Sequence, residues 1–364
     1  MVILGLMPFA YFWALKQIGF KWVANVFEII SSVVLSVFAG IRDLTVGTDV
    51  TFYMEPSFKF ATLYPSFSMY WKSYHFEFLY ALLSYYISKF TGNVNLFFFI
   101  LMLITSLFVF FSINDEFYDT KPIFAFLLFF FGFYNLSLNY SRQMIAVAIL
   151  LYLYKYLKNG KYLKYFIGVI IAFLFHRTAL IGLLIFVLYH VFRLRKNNRI
   201  IFNTIFVGIF LFFLILYNKI LSFAINHGLI DAKYIVHIAS GLDIHLTSIV
   251  FHLVLIALTA VFIYYARLND EEKSFFFEII VLDFCLFLIS LISDTANRIE
   301  LYTFVYMSVT VLPHCIKKLK LSKISILFWE IMIGIMYVVY WYITIILQNV
   351  GQTYPYRTIF FSIN

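Results

Sequence analysis

"KYLKYFIGVIIAFLFHRTALIGLLIFVLYHVFRLRKNNR", residues 161–199, decides the architecture. Basic residues stand at both ends of an apolar run. Short loops rich in Lys and Arg stay on the cytoplasmic side of a membrane, so the chain must leave that side and come back. As one continuous helix, the roughly 30 residues of 162–192 would reach about 45 Å, against a hydrocarbon core of about 30 Å. Two short helices with a reversal at "FHRT" fit instead. They put His176 and Arg177 at the outer turn.

The whole sequence reads the same way. Of 364 residues, 63% are hydrophobic and 12% charged, where soluble domains run near half and a quarter. Backbone groups in lipid must be satisfied within the chain, so the expected fold is all-α. It is a single polytopic domain over 1–364 with about 12 transmembrane helices. Candidate spans are 2–15, 22–41, 94–113, 122–139, 143–157, 162–175, 178–192, 200–217, 246–266, 274–293, 299–315 and 324–347. The first lacks a preceding basic region and reads as a span, not a cleaved leader. The net charge of +9 is scattered between spans, which argues for topology and against nucleic-acid binding. Cys285 and Cys315 lie in apolar segments, so no disulfide framework is expected. No glycine-rich nucleotide loop appears. His227, His237, His245 and His252 lack ligand spacing, so no metal is expected there.

Placing 155–164, 193–199 and 317–323 inside puts 139–143, 293–298 and 351–357 outside. Segment 77–90 would reach only about 21 Å as a helix, which favours a re-entrant or interfacial piece. The loop 42–77 then also lies outside. Arg42, Asp49, Glu77, Arg142, His176, Arg177, Arg298 and Arg357 thus gather on one face at helix ends. Ionisable residues at membrane depth are costly and mark function. Guanidinium groups bind phosphate oxygens in a planar fork and stay charged; a carboxylate or histidine beside them can take a proton from a hydroxyl. Asp43 reads as a turn cap or a partner of Arg42, Gly47 as the turn residue, and Asp294 as the partner of Arg298.

Five stretches carry a resemblance. They are R-x-x-x-V-G-T-D-x-x-x-Y (Arg42 to Tyr53), FEFL (76–79), SRQMIA (141–146), AFLFHRTALI (172–181) and YPY (354–356). In this order the chain resembles the EpsG-like members of the Wzy polysaccharide polymerases. Val50 and Phe78–Leu79 depart from the aromatic and the Pro-Gly common in that family. The resemblance implies a multi-pass enzyme of the bacterial cytoplasmic membrane, surrounded by membrane lipids. It would join oligosaccharide repeat units carried on undecaprenyl pyrophosphate into O-antigen, capsule or exopolysaccharide, at the outer face. No cofactor or metal is implied; a chain-length regulator protein is the implied partner. Arg42, Arg142, Arg177 and Arg298 would bind pyrophosphate. Asp49 or His176 would be the base, with Glu77 a third candidate. The rival readings are an O-antigen ligase and a flippase for the lipid-linked unit.

Overall fold

The computed structural model describes residues 21–114, 122–194, 245–291 and 294–359, with isolated positions between 204 and 219. Among them, regular structure is helical apart from two isolated bridges. In chain order, the helices are α1 (Lys21–Gly40), α2 (Glu55–Ala61), α3 (Phe67–Tyr74), α4 (Phe78–Thr91) and α5 (Val94–Ile113). Next come α6 (Pro122–Asn139), α7 (Ser141–Lys158), α8 (Tyr162–Phe175), α9 (Ile181–Leu194), α10 (Leu246–Tyr265) and α11 (Asp270–Ser290). α12 (Asp294–Tyr306) runs on through a π-turn to Lys317, and α13 is Lys323–Leu347.

Five of these are long and apolar enough to cross a membrane: α5, α6, α10, the Asn297–Lys317 run and α13. Ile29–Gly40, Tyr162–Phe175 and Arg177–Val191 are shorter apolar helices. The predicted spans at 143–157 and 274–293 fall on α7 and α11. Both form, but Arg142, Lys155 and Lys158 on α7, and Glu278 and Asp283 on α11, make them more polar than a simple span. The predicted span 2–15 and most of 200–217 lie outside the described residues.

Close helix packing rests on small residues, as it does where lipid gives helices no hydrophobic drive to associate. A Cβ at Gly40 would meet Phe99 Cβ at 2.9 Å, so α1 lies tight on α5. A Cβ at Gly168 would sit 2.3 Å from Leu153 Cδ2, so α8 lies tight on α7.

The two ends of the bundle differ in chemistry. At one end Lys158 pairs with Glu272, and the Arg267 N–H donates to the Lys318 carbonyl at 2.8 Å. This joins the basic stretches 155–164 and 317–323. The other end collects the C-termini of α1, α6 and α8 and the N-termini of α4, α7 and α12. Asn95, at the start of α5, donates to the carbonyls of Gly40 at 2.7 Å and Arg42 at 2.9 Å. The 14-residue α4 therefore begins and finishes at this same end and does not cross. It packs with α2 and α3 through a ring cluster, with Tyr70 Oη 3.1 Å from Ser84 Oγ. Phe60, Trp71, Tyr86 and Phe90 stay exposed, as aromatics do at a membrane–water boundary.

Candidate active site

The loop after α1 is folded by its own polar residues. Asp43 Oδ1 accepts from the Thr45 N–H at 2.9 Å and hydroxyl at 2.7 Å, which caps the turn. These two bonds hold its carboxyl below the usual carboxylate range. Gly47 adopts φ +102°, a backbone that side-chain-bearing residues rarely take, and its N–H donates to the Gln352 carbonyl at 3.0 Å. The bend brings the Asp49 N–H onto Asn139 Oδ1 at 2.7 Å. Asn139 Nδ2 also donates to the Thr48 hydroxyl at 3.0 Å. The last residue of α6 thereby clips Asp49 to the bundle.

A cavity opens there, lined by Asp49, Tyr53, Met54, Asn139, Tyr140, Ser141, Arg142, Gln143, His176 and Arg298. Arg142 is the second residue of α7. Its Nη1 donates to Glu77 Oε2 at 2.7 Å, and its guanidinium lies 4.8 Å from the Phe76 ring and 5.2 Å from the Tyr80 ring. Glu77 Oε1 accepts from the Arg177 N–H at 3.5 Å. Glu77 thus ties Arg142 to the α8–α9 reversal. Burial pushes the Glu77 carboxyl up, but the charge of Arg142, helped by backbone N–H donors, outweighs it and leaves it below its ordinary value. Arg298 stands over Tyr140 at 5.2 Å, and its carbonyl accepts from Gln143 Nε2, which joins α12 to α7.

His176 ends α8 in extended backbone (φ −157°, ψ 126°). Its Nδ1 lies 2.6 Å from Thr178 Oγ1, and Thr178 in turn donates to Tyr302 Oη at 3.1 Å. Because Thr178 spends its proton on Tyr302, Nδ1 is the donor in the first bond. Nε2 is left as the ring's acceptor. Burial, reinforced by the positive charges of Arg142, Arg298 and Arg177, lowers this histidine to about 4 against the opposing pull of Glu77. At neutral pH the ring is uncharged.

Of the residues the sequence singles out, Asp49, Arg142, His176 and Arg298 line one cavity, and Glu77 braces it. Arg42 does not reach it. It is 1% exposed, with Nη1 donating to the Leu138 carbonyl and its guanidinium 4.3 Å from the Phe98 ring. Burial lowers its pKa to about 10. Arg177 is exposed and contributes its backbone N–H. The side chain of Asp294 lies outside the described residues. Sequence reasoning passed over Asn139, Tyr140 and Tyr53; the polar run "NYSRQ" between two apolar helices was the available signal.

A family model, the EpsG family, matches residues 25–358. The chain belongs to the EpsG family. No curated protein and no solved structure matches it. Membership in the EpsG family, with its apolar helices, supports a membrane protein with a polysaccharide-polymerase type of role.

Proposed function

We propose that this EpsG-family protein polymerises lipid-pyrophosphate-linked oligosaccharide units at the outer face of the bacterial cytoplasmic membrane. The observation that carries this reading is the meeting of two guanidinium residues, Arg142 and Arg298, with an uncharged His176 around one cavity. Arg142 and Arg298 grip the donor pyrophosphate. His176 Nε2 takes the proton of the acceptor hydroxyl as its oxygen attacks the anomeric carbon. The bond from that carbon to the pyrophosphate breaks, and lipid pyrophosphate departs with the electron pair. Asp49 orients the acceptor sugar.

The electrostatics support an ordered reaction. Part of what keeps His176 a weak base is the charge of Arg142 and Arg298. Donor phosphates neutralise those charges, so donor binding makes the ring more basic. The base is strengthened when there is something to react with.

The test is purified protein in vesicles with defined undecaprenyl-pyrophosphate-linked units. A glycan ladder with release of undecaprenyl pyrophosphate is expected. His176→Gln should bind donor but make no ladder, and Asp49→Asn should retain some product. Movement of units across the bilayer without release would replace the enzyme by a flippase. A dead Asp49→Asn beside an active His176→Gln would transfer the proton to the carboxylate.

A further inference from the structure

A second polar cluster lies deeper, on another face of α12. His252 of α10, Asp283 of α11 and Glu300 of α12 are 4%, 0% and 5% exposed. Counted from the nearest helix ends, each lies about 9–10.5 Å below the end that carries the cavity. His252 Nε2 is 2.7 Å from Asp283 Oδ2, and Nδ1 is 3.1 Å from Glu300 Oε1. Asp283 Oδ1 accepts from the Thr303 hydroxyl at 2.7 Å. The imidazole stacks on Phe287 (4.5 Å, 8°) and leans on Phe304 at 4.4 Å. Ligand atoms of the three residues all lie within 4.8 Å of one another.

Two features call for a cation. Glu300 Oε1 is buried and accepts no hydrogen bond, although it faces Nδ1. Among the described residues, no lysine or arginine pairs with either carboxylate. With a neutral imidazole and both carboxylates ionised the cluster would carry two negative charges, and burying such charge unbalanced is strongly unfavourable. One divalent cation brings it to neutrality.

We propose that His252 and Glu300 bind a divalent transition-metal ion, zinc or manganese, with Asp283 as the outer partner of the histidine. Imidazole with carboxylate suits these ions. Two ligands about 2.0–2.2 Å from one tetrahedral ion sit roughly 3.3 Å apart, close to the Nδ1–Oε1 separation. Asp283 holding the Nε2–H, itself held by Thr303, is the carboxylate–histidine–metal arrangement that fixes ring and tautomer. The ion pins α10 and α11 to α12, the helix that carries Arg298 and Tyr302. It is structural and takes no part in the transfer step. Spacing along the chain could not show this site, because the partners of His252 come from two other helices.

The full chain, purified in detergent without chelator, is analysed for metals by mass spectrometry and then titrated with Zn²⁺ and Mn²⁺ against a chelator of known affinity. About one ion per chain is expected. Chelation should lower the unfolding temperature, and returning the ion should restore it. His252→Asn and Glu300→Gln should lose the ion. Asp283→Asn should bind it about 10–100-fold more weakly, as outer-partner changes do. If these variants fail to fold, the titration of the unmodified chain decides alone. No saturable binding, or Glu300→Gln binding like the parent, would overturn the site and leave the triad charge-balanced by protons. Neither outcome bears on whether the protein polymerises glycans.

Discussion

Arg142 holds its place through two different contacts, the Glu77 carboxylate and the faces of Phe76 and Tyr80. Lysine keeps the charge and loses the planar fork that both need. Arg142→Lys should therefore cut ladder formation at least tenfold and Arg142→Ala should abolish it, read in the vesicle assay at matched protein levels. Acid stability should show two separate windows. The folded pKa of His176 lies below its unfolded value of 6.5, near 4. The unfolded chain then binds more protons between those values, so stability is full above about 6.5 and falls as pH drops toward 4. Glu77 is also held low, but its contribution persists until pH falls below its ordinary 4.5. His176→Gln should flatten the unfolding-temperature curve between pH 6.5 and 4.5 while leaving the loss below 4.5, checked by thermal scans across pH. A curve unchanged by the substitution would mean that the ring is charged in the folded protein. How far the sequence revealed this site depends on residue type. Arg142, His176, Arg298 and Asp49 are costly in an apolar chain and so stand out alone. Arg42 stands out equally but is turned to a carbonyl, and nothing local separates an arginine that braces a loop from one that grips a ligand. Asn139 is mild enough to pass for a helix terminus until Thr48 and Asp49 are seen upon it.

Helix pairs in this bundle depend on residues that are absent in bulk. Gly168 faces Leu153 with no room for a methyl group. Gly168→Ala should lower the unfolding temperature, since overpacking costs about 1–3 kcal/mol. Adding Leu153→Ala should recover part of the loss, whereas two independent sites would simply add. Gly47→Ala should cost roughly 1–2 kcal/mol through its positive φ and should weaken activity more than stability, because the bend delivers Asp49. Measuring both in one preparation separates the two effects. Most helices were legible as apolar runs between charged loops. α4 was legible only by its shortness, and its path back to the same end follows from Asn95 meeting Gly40, a contact 55 positions apart in the chain.

Across the molecule, the basic stretches 155–164 and 317–323 occupy one end and the cavity the other, which orients the protein if the basic end is cytoplasmic. Cys285 and Cys315 are buried, so introduced cysteines can be read against a quiet background. In intact cells Lys72→Cys should react with an impermeant maleimide and Lys161→Cys should not; the reverse pattern would turn the site to the cytoplasm. A last consequence follows from how the loop of Asp49 is held. Its bend leans on the carbonyl of Gln352, the Asp43 N–H donates to the Arg357 carbonyl, and the Ile359 N–H donates back to the Ile41 carbonyl. The earliest-made wall of the cavity is thus latched by residues that the ribosome adds more than 300 positions later. The described helices, through α13, all precede Gln352, so a chain stopped short of that residue would keep them and lose the latch on the Asp49 loop.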